Sequence, residues 1–199
     1  MRRLKLEALL IGLSFLACSP AFAGWQDEAS AFDRGRLAKL DESRAKGISE
    51  SAGGNGSGDA SAIHETLDPA AQSASPSALA GAWRCRTIKL GGMTSYVVYS
   101  WFACRVSDNG GTLSFRKISG SQRTSGTLYP EGDGFVYLGA STVNGERPHA
   151  YSGAGASAGA PATPDDQIGM LSMIGDNHAR LELPYPLQES TFDVIELRR

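Results

Sequence analysis

Histidine and cysteine are scarce in this chain, three of each among 199 residues. His64, His149 and His178 have no metal-ligand spacing among themselves, and once two cysteines pair, no four-ligand zinc set remains. Neither a metal centre nor a cofactor is expected. Long apolar runs are missing too: beyond the N-terminus nothing approaches the roughly 18 residues that span a bilayer. Charge is nearly balanced, at 19 Lys and Arg against 21 Asp and Glu, which argues against nucleic acid or anionic lipid as the main partner. No glycine-x-serine-x-glycine elbow follows a strand, and there is no phosphate loop and no dinucleotide fingerprint. Ser114-Phe115-Arg116-Lys117 spells a serine-x-x-lysine string. That pair works from one face of a helix, whereas on a strand residues three apart face opposite sides. No catalytic residue is assigned, and the chain is expected not to be an enzyme.

What is present begins with an export signal. "MRRLK" gives a positive start, "LEALLIGLSFLA" an apolar run interrupted early by Glu7, and Ala21-Phe22-Ala23 a small-x-small cleavage site. Residues 1–23 are therefore expected to be a signal peptide cleaved after Ala23, with lipid attachment at Cys18 the alternative. Cleavage leaves 176 residues and moves the formal net charge from −2 to −4, because three positive charges and one negative leave with the peptide. The expected location is the periplasm or the exterior, with no membrane span after cleavage. Only Cys85 and Cys104 survive, and an even pair in an exported chain points to a disulfide, two buried thiols being the alternative.

Composition divides the remainder near Pro76. Residues 24–48 carry an amphipathic helix, centred on roughly 28–46: Trp25, Ala29, Phe32, Leu37, Leu40 and Ile48 share one broad face, Ser30 and Asp33 have capping spacing, and Lys46-Gly47 suits an end. Residues 49–79 read as a flexible linker, with a weak signal for a short helix near "IHETLDPAAQ". From 80 to 199 the pattern is mainly β. About eight short strands, including "GAWRCRTIKL", "YVVYSWFACRV", "TLSFRKI" and "TFDVIEL", are separated by turn signals such as "GGMTS" and "SDNGG". An antiparallel meander closed into a barrel or folded as a two-sheet sandwich follows. Residues 152–166, rich in glycine and alanine, read as a flexible loop.

A hairpin centred between Thr94 and Ser95 sets Cys85 directly opposite Cys104, close enough to bridge. The same register puts Trp83, Cys85, Phe102, Cys104 and Val106 on the core face and Arg84, Arg86 and Arg105 on the outer one. Those three arginines need acidic cover. Candidates are the helix, through Asp27, Glu28, Asp33 or Asp41, and the last strand, through Asp193 and Glu196; an anionic ligand is the other possibility.

The segment "RKISGSQRTSGTLYP" carries the sharpest site expectation. Leu113, Phe115 and Lys117 alternate on one face, so Lys117 points where a core residue would go. Either it snorkels out at the strand end, or it joins Arg123 at a barrel mouth beside an anion nest of "SGSQ" amides, with Ser119, Ser121 and Gln122 adding hydrogen bonds. The candidate ligand-binding set is Lys117, Ser121, Gln122 and Arg123.

The strings "GAWRCRTIKL", "FACRV", "RKISGSQRTSGTLYP", "VYLGA" and "LPYPLQESTFDVIEL", with "FDRGRLAKL" near the start, resemble the domain-of-unknown-function family 4893 of secreted alphaproteobacterial proteins. The resemblance implies compartment and boundaries, and it transfers no ligand or catalytic residue. "LAGAWRC" is more faintly similar to the opening strand of calycin-type barrels, which implies a late arginine, Arg198 or Arg199, packed on Trp83. The expected function is an exported, non-enzymatic β domain binding a small anionic ligand. The alternative is a protein-binding module, such as a calycin-like protease inhibitor or an envelope assembly factor with an envelope protein as partner. A hydrolase without a recognisable motif is a third. Mass spectrometry of the chain expressed with its own N-terminus should find a mature protein beginning at Gly24; a lipid-modified Cys18 would overturn the cleavage assignment.

Overall fold

The computed structural model describes residues 24–153 and 163–199. Residues 1–23, the expected signal peptide with Cys18, and residues 154–162 of the expected 152–166 loop lie outside the described residues. The strands are β1 (Gly81–Leu90), β2 (Tyr96–Val98), β3 (Phe102–Asp108), β4 (Leu113–Lys117), β5 (Gln122–Glu131), β6 (Gly134–Val143), β7 (Asp166–Gly175), β8 (His178–Pro184) and β9 (Phe192–Arg198). Each pairs antiparallel with its neighbour, and β9 returns to β1 from Arg84↔Arg198 to Leu90↔Phe192. This pairing makes a closed eight-stranded antiparallel barrel rather than a sandwich, with β2 as a short extra segment beside the far half of β1.

The first hairpin corrects the expected register. Trp83 faces Cys104 and Cys85 faces Phe102, so the two cysteines are diagonal neighbours, not directly opposed. They form a disulfide with Cα atoms 5.8 Å apart. The cause is the turn: Gly91 and Gly92 adopt φ of 71° and 80°, and Gly91 N–H donates to Ser95 O. These glycines centre the reversal near Met93, as Leu90↔Tyr96 requires. The strand expected over 96–106 also breaks at Tyr99–Trp101, between β2 and β3. The turn shifts β2 by three residues from the expected register and the break returns one, so the net slip of β3 against β1 is two, an even number that leaves their side chains on the expected faces. Trp83, Cys85, Cys104 and Val106 are accordingly buried inside, while Arg84 and Arg105 are exposed.

The interior is apolar toward the Gly81 end of β1. Trp83, Phe115, Tyr137, Leu181, Ile195 and Leu197 belong to one packed cluster there. Gly126 and Gly139 face each other across β5 and β6, and a Cβ on Gly139 would overlap the Tyr137 hydroxyl. The glycine pair thus makes room for a tyrosine ring lying across the lumen, edge-on to Phe115 with ring centres 6.0 Å apart. Below, Trp83 Nε1 donates to Leu79 O at 2.7 Å, and the Arg199 guanidinium lies 3.9 Å above the Trp83 ring while donating to Leu79 O and Ala80 O. Of the two late arginines considered, Arg199 is the one that packs on the tryptophan. This corner stoppers one end of the barrel.

Helices wrap the outside. They are α1 (Trp25–Glu28), α2 (Ala31–Leu37), α3 (Leu40–Ser51), α4 (Ser61–Leu67) and α5 (Pro76–Leu79). The single helix expected over 28–46 is broken at Ala38–Lys39 and continues past Gly47 to Ser51. Gly47 is no stop signal: a Cβ there would lie 2.7 Å from Phe192 Cβ, so glycine lets α3 cross the barrel at close range. The expected apolar stripe is only partly used, since Ala29 is buried but Ile48 is exposed, and Asp33, Arg36 and Ser43 are buried instead. Polar docking explains this. Ser43 Oγ donates to Thr191 O at 2.8 Å and accepts from Tyr185 N at 3.0 Å. Ser30 does cap α2, accepting from Asp33 N at 3.0 Å. The stretch read as a flexible linker over 49–79 holds α4, whose Ala62, Ile63 and Leu67 pack on Ile88, Leu90, Phe192 and Val194, and Gln72 N–H donates to Met173 O. Too few apolar residues to form a core of its own proved enough to cover a barrel face.

The disulfide spans 19 positions, and closing such a loop stabilises the fold by about 3 kcal/mol. Replacing both Cys85 and Cys104 by Ala should lower the urea-unfolding free energy by roughly that amount; an unchanged midpoint would mean that barrel closure alone constrains these strands.

Candidate ligand site at the barrel mouth

Toward the Leu90 end of β1 the inward-facing residues turn polar. Lys89 pairs with Asp193, Lys117 with Thr124, Thr124 with Ser141, and Gly139 with Gln167. These positions share the parity of the core below, so the same strands that fill the bottom present hydroxyls, amides and charges at the top. A cavity of about 400 Å³ opens there, lined by Lys117, Gln122 and Arg123 together with Lys89, Thr124, Gln167 and Asp193. Its volume is that of a small-molecule pocket. A smaller annex of about 210 Å³ continues beside Arg116, Lys117 and Arg123.

Lys117 closes β4 and is only 7% exposed. Its Nζ lies 4.6 Å from the centre of the Phe102 ring, and among the described residues it forms no ion pair or hydrogen bond. Burial, then the neighbouring Lys89 cation, hold its ammonium below the usual lysine pKa. Lys89 differs: burial works against its charge, but Asp193 and a 2.6 Å bond to Glu189 Oε2 outweigh it and raise its pKa. Asp193 is pushed up to about 6, chiefly by burial, against the opposing pull of Lys89 and a Ser190 hydroxyl that donates to it.

The cavity carboxylates are otherwise engaged within the protein. Asp165 accepts from Ser141 Oγ and meets His149 Nδ1 at 3.2 Å, and Asp166 accepts from Ser152 N and Oγ. Glu146, at the exposed rim, reaches His149 at 3.7 Å. Arg36 is held by Asp33 and spans to Asp166 O and Tyr185 O, which ties α2 to the rim. Lys117 and Arg123 are left as the cavity cations without a carboxylate partner among the described residues. Arg123 spends its Nε on Gly120 O at 3.2 Å.

Of the four candidate residues, Lys117, Gln122 and Arg123 line the cavity together, whereas Ser121 is exposed and away from it. Gln122 and Arg123 begin β5 rather than close a loop. Ser119 Oγ accepts from Ala103 N at 2.8 Å, and Ser121 O accepts from Asn144 N at 2.7 Å, so a hydroxyl and a carbonyl of the turn tie it to neighbouring strands. Lys89, Thr124, Gln167 and Asp193 were not foreseen. Their parity with Trp83, Leu128, Leu171 and Ile195 carried the signal, but the barrel register was needed to use it.

The outer-face arginines divide. Arg86 Nε meets Glu196 Oε2 at 2.5 Å and lies 4.5 Å above the Trp101 ring, while Arg84 lies 5.1 Å above the same ring. Arg105 stays exposed opposite Arg116. Glu196 supplies the expected acidic cover, but Asp193, the other candidate on β9, faces the lumen because odd and even positions part. Among the described residues no helix is long and apolar enough to cross a membrane, and no three potential metal-ligating side chains gather.

The sequence pattern of the family described as Domain of unknown function (DUF4893) matches residues 25–197. Comparison with curated proteins and with solved structures gave no match.

A folded Asp193 that keeps its proton to about pH 6 binds more protons than the unfolded chain above the ordinary aspartate value. Its contribution therefore makes stability fall as pH rises from about 4 to 6. Urea unfolding at pH 4, 5, 6 and 7 should show wild type losing on the order of 2–3 kcal/mol relative to Asp193→Asn across that window; parallel pH profiles would contradict the assignment.

Proposed function

We propose that this chain, which belongs to the DUF4893 family, is an exported binding protein that holds a small anionic ligand in the polar half of its barrel. The observation that carries this is Lys117: a cation 7% exposed, on the wall of a cavity of about 400 Å³, with no carboxylate to meet it among the described residues. A buried charge without a partner is disfavoured by several kcal/mol. An anion seated between Lys117 and Arg123, with Gln122 donating a hydrogen bond, supplies that partner. Export is supported by the N-terminal "MRRLK", apolar run and Ala-Phe-Ala order, and the disulfide is compatible with an oxidising compartment. A protein-binding role had its motivation in a free helical arm. Ser43 and Gly47 dock on the barrel, which bears against that ground, while the calycin-like start of β1 is a separate ground for it.

Lys117→Met keeps the length and removes the unpaired charge. In thermal-shift screening against small carboxylates, phosphates and acidic sugars, wild type should respond to at least one class and Lys117→Met to none. The ligand-free variant should be more stable than wild type by about 1 kcal/mol. Equal responses from both proteins to every compound would rule the cavity out as the binding site.

A further inference from the structure

Two lysines enter the same cavity and differ in kind. Lys89 is fixed as an ammonium by Glu189 and Asp193. Lys117 sits on the last residue of β4, cross-strand from Thr124, against the Phe102 ring and without a counter-ion among the described residues. We propose that Lys117 is a nucleophilic amine that condenses reversibly with the carbonyl of a small 2-oxo carboxylate held in the barrel cavity. The chemistry rests on the reading of the cavity as an anion site and names the ligand class it takes.

Desolvation and a neighbouring cation are the two ways a protein keeps a lysine partly neutral and reactive. Both act on Lys117, and they depress its pKa. The neutral fraction of an amine near pH 7.5 rises about tenfold for each unit its pKa falls. The Nζ lone pair attacks the carbonyl carbon to form a C–N bond. The carbonyl oxygen then leaves as water with the two amine hydrogens, and the resulting imine takes one proton from solvent. The protonated imine keeps the positive charge of the ammonium it replaces. A carboxylate one bond from the reacting carbon therefore stays beside a cation, and Arg123 also lines the cavity. A strand end on a closed barrel holds the amine more rigidly than a loop would.

The test uses the mature chain with pyruvate or glyoxylate and sodium cyanoborohydride, whose hydride makes the adduct permanent, followed by peptide mass spectrometry. The expected result is a reduced adduct concentrated on Lys117, at least about tenfold above Lys89 and above the exposed Lys39 and Lys46. Propanal, which lacks the carboxylate, should label Lys117 less. Lactate, an anion without a ketone or aldehyde carbonyl, should protect it. Lys117→Arg should lose the adduct yet keep a thermal shift with lactate. Labelling that follows exposure alone, with Lys117 no more modified than Lys46, overturns the imine. If that happens while lactate and pyruvate still shift wild type equally, the anion site stands without covalent chemistry. Selective labelling of Lys117 with no protection by lactate would instead sink the anion reading.

Discussion

The pairing of the first strand with the last is the contact on which everything else in this molecule depends. Between Arg84 and Leu90 on one side and Arg198 and Phe192 on the other, seven opposed residues close the sheet on itself. Closure removes both edges and defines an inside. An eight-stranded lumen is just wide enough to be filled by side chains. Whether a given end is core or cavity is then decided by what the inward positions carry. Here Trp83, Phe115, Tyr137 and Leu197 fill one end, and Lys89, Lys117, Thr124, Ser141 and Gln167 line the other.

That division accounts for the unusual treatment of charge. Outside, several cations are met by carboxylates or aromatic faces, Arg86 by Glu196, Arg84 by Trp101 and Arg44 by Glu182, while Arg105 is left to solvent. Inside, Lys89 is neutralised on the spot while Lys117 is not. A fold selected for stability alone would place an apolar residue at 117, since the position has core parity and Phe115 precedes it on the same face. Keeping a cation there is a local conflict of the kind that marks functional sites. The helices contribute by fixing the rim. Arg36 on α2, held by Asp33, binds the starts of β7 and of the β8–β9 connection, and the Tyr151 hydroxyl donates to Asp33 at 2.5 Å.

Much of the barrel was legible because strand parity is robust. The first hairpin was misregistered by two residues, yet Trp83, Cys85, Cys104 and Val106 kept their inward assignment and Arg84 and Arg105 their outward one. An odd slip would have inverted all of them. Lys117 was recognised as inward by the same rule, and the cavity lies beside it. What failed was local chemistry that tertiary contacts overrode. Gly47 looked like a helix end and became a contact point; an apparently coreless linker found its apolar partner on the outside of the barrel.

By itself, the sequence determined the strand segments, the side on which each residue falls and the sulfurs available to pair, because alternation and turn chemistry act over a few neighbouring residues. Only the tertiary structure decided between barrel and sandwich, and which polar residues from distant strands meet. Both depend on the β1–β9 register across more than a hundred residues of chain. That register brings Lys89 to Asp193 and leaves Lys117 alone. No local pattern encodes it.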